Sequence, residues 1–203
     1  MEPQISEIIG GTSAQGTANQ NELNIAGSVS AGTSITGGIG QIDASDNNIL
    51  ISGDSAGAII GGQSTQGTAN KNNIIIGGSV TGNVTGGEGK ISSENNNIKV
   101  AGNVGGTVIG GKTDSGSASN NIISVAGDTQ GDIIGGQILD PNGQTSGNQI
   151  TANGNVDGNI YGGYNESTQK IQGSNNTITL SGNLTKVTGN IQVGDKTSNS
   201  GIP

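Results

Sequence analysis

Residues 72–87 read Asn72-Asn73-Ile74-Ile75-Ile76-Gly77-Gly78-Ser79-Val80-Thr81-Gly82-Asn83-Val84-Thr85-Gly86-Gly87. Every second residue from Asn72 gives Asn72, Ile74, Ile76, Gly78, Val80, Gly82, Val84 and Gly86. After the leading Asn this set is apolar or Gly, and the intervening set is mostly polar. A period of two is that of a β-strand with one face buried.

The stretch recurs along the chain. Gly-Gly pairs in one phase begin at residues 10, 37, 61, 86, 110, 135 and 162, spaced by 27, 24, 25, 24, 25 and 27. An Asn column runs Asn21, Asn47, Asn72, Asn96, Asn121, Asn148 and Asn176, each followed two on by Leu or Ile. Six residues after each Asn stands a Gly: Gly27, Gly53, Gly78, Gly102, Gly127, Gly154 and Gly182. Two residues before six of the Gly-Gly pairs stand Ile35, Ile59, Val84, Val108, Ile133 and Ile160. A fixed period in the twenties is the signature of a solenoid, whose short units bury a core only by stacking. The reading is all-β: a parallel β-helix (β-solenoid) of about seven to eight coils of 24–28 residues. At a strand spacing near 4.8 Å it would span roughly 35–40 Å.

Composition narrows the rest. Hydrophobic content is 29% and aromatic content 1%, with neither Phe nor Trp. Ile and Val must therefore supply the core, at about 1.5–3 kcal/mol for each fully buried side chain. Gly makes up 40 of 203 residues, a level that also occurs in disordered linkers. Here the glycines keep fixed phase with Ile and Val, which a linker has no reason to do. Net charge is −8, from 15 acids against seven Lys and no Arg. Phosphate-backbone binding needs clustered Lys and Arg, so nucleic acid is not an expected partner. Cys and His are absent, which excludes thiol and His-based triad chemistry from this chain. No run of 18 apolar residues occurs, so direct membrane insertion by a helix is not expected.

A single solenoid domain, 1–203, is expected, with regular coils over about 8–194 and a frayed tail over 195–203. Ile8-Ile9-Gly10-Gly11 enters in mid-repeat, as in a segment of a longer array. The stretches between copies read as variable arms on the outer surface. The arm 63–70 nearly repeats 12–19, and 137–147 carries the turn signal Asp140-Pro141-Asn142-Gly143. The last copy slips: Lys186 stands where Gly is expected, and three extra residues restore Gly189-Asn190-Ile191.

The sharpest polar feature is the Asn column. Stacked amides can donate and accept along the axis, and Asn tolerates a left-handed corner, so a structural ladder is the expected role. The Gly column reads as corner glycines, where a narrow coil leaves no room for a side chain and φ turns positive. Asp54 and Asp128 share a repeat position but lie three coils apart, roughly 14 Å, too far for paired carboxylates. Asp132 and Asp157 form a closer candidate pair. Gly37-Gly38-Ile39-Gly40-Gln41-Ile42-Asp43 only brushes the Ca²⁺-binding nonapeptide, with its aspartate misplaced. Tyr161 and Tyr164 flank one Gly-Gly pair and read as a cover over the coil. No catalytic, cofactor or metal residue is assigned.

Ile160-Tyr161-Gly162-Gly163-Tyr164, a Ser/Gly/Asn-rich arm, and then Asn175-Asn176-Thr177-Ile178-Thr179-Leu180-Ser181-Gly182 resemble the passenger repeats of bacterial autotransporters, the large surface adhesins of Gram-negative bacteria. The resemblance spans about residues 8–194. It implies a right-handed parallel β-helix exported to the cell surface through a C-terminal outer-membrane β-barrel, with adhesion, aggregation or a stalk as its role. Met1-Glu2-Pro3-Gln4 begins no basic and apolar leader, and no barrel follows Pro203, which suits a passenger segment. The family's binding residues follow no common motif, so none is carried over.

The expectation is a non-enzymatic, extracellular adhesin or stalk segment on the bacterial cell surface. Its partner would be a host cell-surface or matrix component, or a second copy through exposed end coils. The alternatives are a polysaccharide-degrading or tailspike-like β-helix and a ligand-free spacer.

Overall fold

Inward Ile and Val at alternate positions, interrupted by a Gly pair in every repeat, wind this chain into a stack of strands. A computed structural model describes residues 5–182 and 186–194. It is all strand and turn, with no helix among the described residues. The tail expected to fray, 195–203, lies outside the described residues.

About seven coils stack as two parallel sheets. One has seven strands: Glu22–Ile25, Asn48–Ile51, Asn73–Ile76, Asn97–Val100, Ile122–Val125, Gln149–Ala152 and Thr177–Leu180. Each pairs with the equivalent strand of the next coil, so Ile49, Ile74, Ile98, Ile123, Ile150 and Ile178 share one column. The thirteen-stranded sheet aligns Ile35, Ile59, Val84, Val108, Ile133 and Ile160 in the same way. In the earlier coils the Gly pair splits this sheet's strand in two. From Val108–Thr113 onward the strand runs through the pair. A third inward column, Val29, Ser55, Val80, Val104, Thr129, Val156 and Val187, holds by single bridges at the turn between the sheets. The apolar residues of these three columns, with a fourth column of Ile25, Ile51, Ile76, Val100, Val125 and Ala152 in the seven-stranded sheet, form one apolar core. The slip at Lys186 is taken up before the bridge Val156↔Val187, and register is restored at Ile160↔Ile191.

Two features depart from the sequence expectation. The arms do not simply decorate the outside. Thr17, Asp43, Thr68, Ser92, Ser117 and Gln144 bridge from coil to coil, and Ala18, Ala44, Ala69 and Ala118 behind them are buried. The backbones of the Gly pairs pack directly against this column, which leaves no room for a side chain on the glycines. A Cβ on Gly62 would sit 1.9 Å from the Ala44 carbonyl oxygen. The second departure is an apolar stripe on the outward face of the thirteen-stranded sheet. Ile9, Thr36, Ile60, Thr85, Ile109, Ile134 and Tyr161 form one register column, and Thr36, Thr85 and Ile134 are buried although they alternate with the core residues. The arm after Tyr164 folds back as an antiparallel pair, Tyr164↔Ile171 and Asn165↔Lys170.

Among the described residues no helix is long and apolar enough to cross a membrane.

The third column carries a testable flaw. The hydroxyl oxygens of Ser55 and Thr129 are buried without a hydrogen-bond partner, in positions where neighbouring coils place Val. Thr129→Val keeps the shape and removes the orphan group, so it should stabilise the solenoid by about 1–2 kcal/mol. Thr129→Ser should not. Chemical denaturation midpoints of the two variants would show the difference.

Candidate functional site

The Asn column forms a continuous ladder on the inside of the coil. The side-chain oxygen of Asn47 accepts the backbone N–H of Asn21 at 3.0 Å and its Nδ2 at 2.7 Å. The same double acceptance repeats from Asn47 to Asn72, Asn72 to Asn96, Asn96 to Asn121 and Asn121 to Asn148. At the last rung only the backbone N–H of Asn148 reaches Asn176, at 2.9 Å. The Asn148 amide turns instead to the carbonyls of Thr145 and Ala118.

The ladder explains the Gly pairs, which face it across the coil. A Cβ on Gly86 would lie 2.2 Å from the Gly110 carbonyl oxygen and 2.7 Å from Cβ of Asn96. On the second glycine of a pair, Gly111, it would strike the Asn121 amide at 2.8 Å. Asn column and Gly pairs are thus two sides of one packing unit.

The left-handed turn falls one residue before the column, not on it. Gln20, Asp46, Lys71, Asn95, Asn120 and Asn175 have φ of 54–57°, and Gly147 takes the same place at 70°. Gln20, Asp46, Lys71, Asn95, Asn120 and Gly147 donate their backbone N–H groups along the axis, as from Lys71 to the Glu94 carbonyl at 2.8 Å. The corner glycines are likewise not inward residues, and of the seven only Gly27 and Gly182 have left-handed φ. Their lack of a side chain answers an axial approach. A Cβ on Gly102 would lie 2.6 Å from the Gly78 carbonyl carbon, and the Gly102 N–H donates to the Gly78 carbonyl at 2.9 Å.

The polar residues beside these glycines form a second ladder of opposite sense. Ser28, Asp54, Ser79, Asn103, Asp128 and Asn155 each accept, through the side chain, the backbone N–H of the next coil. Asp54 and Asp128 are rungs in this column, separated by Ser79 and Asn103. Asp132 accepts from the backbone and amide of Asn159, and Asp157 from the Thr188 hydroxyl, so the candidate pair is engaged by different partners. No group of three metal-ligating residues comes together among the described residues. Tyr161 and Tyr164 stack on each other at 5.2 Å across their Gly pair. Burial, together with the nearby Asp132, pushes the Tyr161 phenol above its ordinary value.

Asp43 is the most heavily hydrogen-bonded carboxylate of the arms. It accepts from the Asn19 amide at 2.7 Å, the Thr68 hydroxyl at 2.7 Å and the Ser45 hydroxyl, tying three coils together. Burial pushes its carboxyl up, but these bonds and the Ala44 N–H together outweigh burial and hold it below its ordinary value.

Comparison with known protein families, with curated proteins and with solved structures found no match to this chain.

Two outcomes follow from the geometry. Asn96→Ala leaves the buried N–H and Nδ2 of Asn72 without an acceptor and should cost about 2–4 kcal/mol. Lys99→Ala, at an exposed outer position of the same coil, should cost under about 0.5 kcal/mol in the same denaturation experiment. Because the Asp43 pKa is depressed on folding, its stabilisation is present above the ordinary carboxylate range and lost as pH falls through the depressed value. The gap in melting temperature between the native chain and Asp43→Asn should therefore be widest near neutral pH and close on acidification.

Proposed function

We propose that this chain is a non-enzymatic, surface-exposed β-solenoid segment that serves as an adhesin or stalk, in the manner of an autotransporter passenger at the bacterial cell surface. The observation that supports this reading is where the polar side chains go. The Asn column, the Ser/Asp/Asn corner column and the arm carboxylate Asp43 are spent on holding one coil to the next. The side chains left to meet a partner stand on the outer faces in register rows, such as Asn24, Leu50, Ile75, Lys99, Ser124, Thr151 and Thr179. A repeating outer row on a self-supporting rod suits contact with an extended host surface or matrix component.

Beads coated with the purified chain should be retained on cultured host cells or on immobilised matrix components above a control bearing an unrelated solenoid. Retention equal to the control on every surface would leave a spacer. Release of new reducing ends from a polysaccharide panel would overturn the non-enzymatic reading in favour of a glycan-degrading β-helix.

A further inference from the structure

The outer face of the seven-stranded sheet carries its charges in a self-complementary order. One row on this face is the left-handed position that opens each strand, from Gln20 to Asn175. Two more are the outward strand positions, from Glu22 to Thr177 and from Asn24 to Thr179. The charged residues of these rows are Glu22, Asp46, Lys71 and Lys99, one in each of four successive coils. The first two coils thus hold acids and the next two hold Lys, while the rows from Asn120 and Ile122 onward are uncharged. All four charged residues are exposed. Among the described residues the only ion pair joins Lys112 to Glu88, on the other sheet. Between the charges stands Leu50, 37% exposed, beside Ile75 of the next coil. The outward amides of Asn48, Asn73 and Asn97 are fixed to one another by hydrogen bonds of 2.7 Å.

We infer that this face docks a second copy of the chain. The two rods run antiparallel, related by a two-fold axis lying in the interface between the Asp46 and Lys71 coils. A two-fold contact is self-complementary, so one patch must supply both halves of every pair. This axis sets the Asp46 coil of each copy opposite the Lys71 coil of the other, and the Glu22 coil opposite the Lys99 coil. Asp46 then meets Lys71, Leu50 meets Ile75 and Asn48 meets Asn73, each twice. Lys99 enters beside Glu22 and Asn24. Glu94, at the edge of the face, meets the uncharged Asn19. A parallel pair would set like charge on like charge, and that repulsion selects the antiparallel arrangement. The fixed amide row loses little freedom on contact. The patch measures roughly 15 Å on a side, the size of a weak, reversible contact. This self-recognition stands independently of the adhesin reading.

The test uses the full chain at about 0.15 M salt, which screens the net charges of two separate rods but not charges in contact. Sedimentation equilibrium should show monomer and dimer with a Kd between about 10 μM and 1 mM. Asp46→Lys and Lys71→Asp each set like charges face to face, so either variant alone should weaken dimerisation at least about tenfold. Mixed in equal amounts, the two variants should pair with each other about as tightly as the native chain. In that mixed pair the new lysine of one copy faces the new aspartate of the other, and the second site keeps its native pair. Glu22→Lys and Lys99→Glu give the same crossed test one coil further out. Asp114→Lys, the same charge change on an exposed arm, should not weaken the native dimer. A strict monomer up to about 1 mM would overturn the proposal. So would dimers that survive the single substitutions, or variants of native circular dichroism that fail to pair when mixed.

Discussion

Everything in this molecule follows from stacking coils one strand spacing apart. At that separation a buried polar group has two possible partners, the coil before and the coil after. A side chain that both donates and accepts, and is short enough to stay in its own layer, solves the problem at every layer with the same residue. Asn does this in the interior, where its oxygen takes two N–H groups from the preceding coil. Opposite, the ladder and the carbonyls of neighbouring coils together occupy the space where side chains on the glycine pairs would be.

Much of this was legible in the primary structure. Period two and the spacing of the Gly pairs established a β-solenoid, and the inward columns of Ile and Val stand where alternation put them. The Asn residues recurred so regularly that an axial ladder was the natural reading. What alternation hides is burial that comes from neither face of the strand alone. Ile134 and Thr85 alternate with core residues and so read as outward, yet neighbouring coils and the outer stripe cover them. Ala44 and Ala69 lie in stretches that look like arms, yet the Gly-pair backbones close over them. The left-handed positions were equally hidden. Lys71 and Gln20 have no intrinsic preference for positive φ, and the axial hydrogen bond of each imposes it. Gly147, and more weakly Asn95, Asn120, Asn175 and Asp46, are the members of that column whose residue type announces the conformation.

The two ladders divide the labour of the coil. The interior one donates toward the C-terminal end and the corner one toward the N-terminal end, so the two run in opposite senses along the stack. With the interior and corners committed to cohesion, residues on the outer rows are free to vary from coil to coil, as the sequence Leu50, Ile75, Lys99, Ser124 shows.

Axial bonding also sets how such a rod answers force. Tension on the chain termini enters at an end coil and peels it from its neighbour, while the coils behind it stay unloaded until they are reached. Each released coil of about 25 residues yields roughly 80 Å of extended chain. The rod therefore lengthens in steps of one coil.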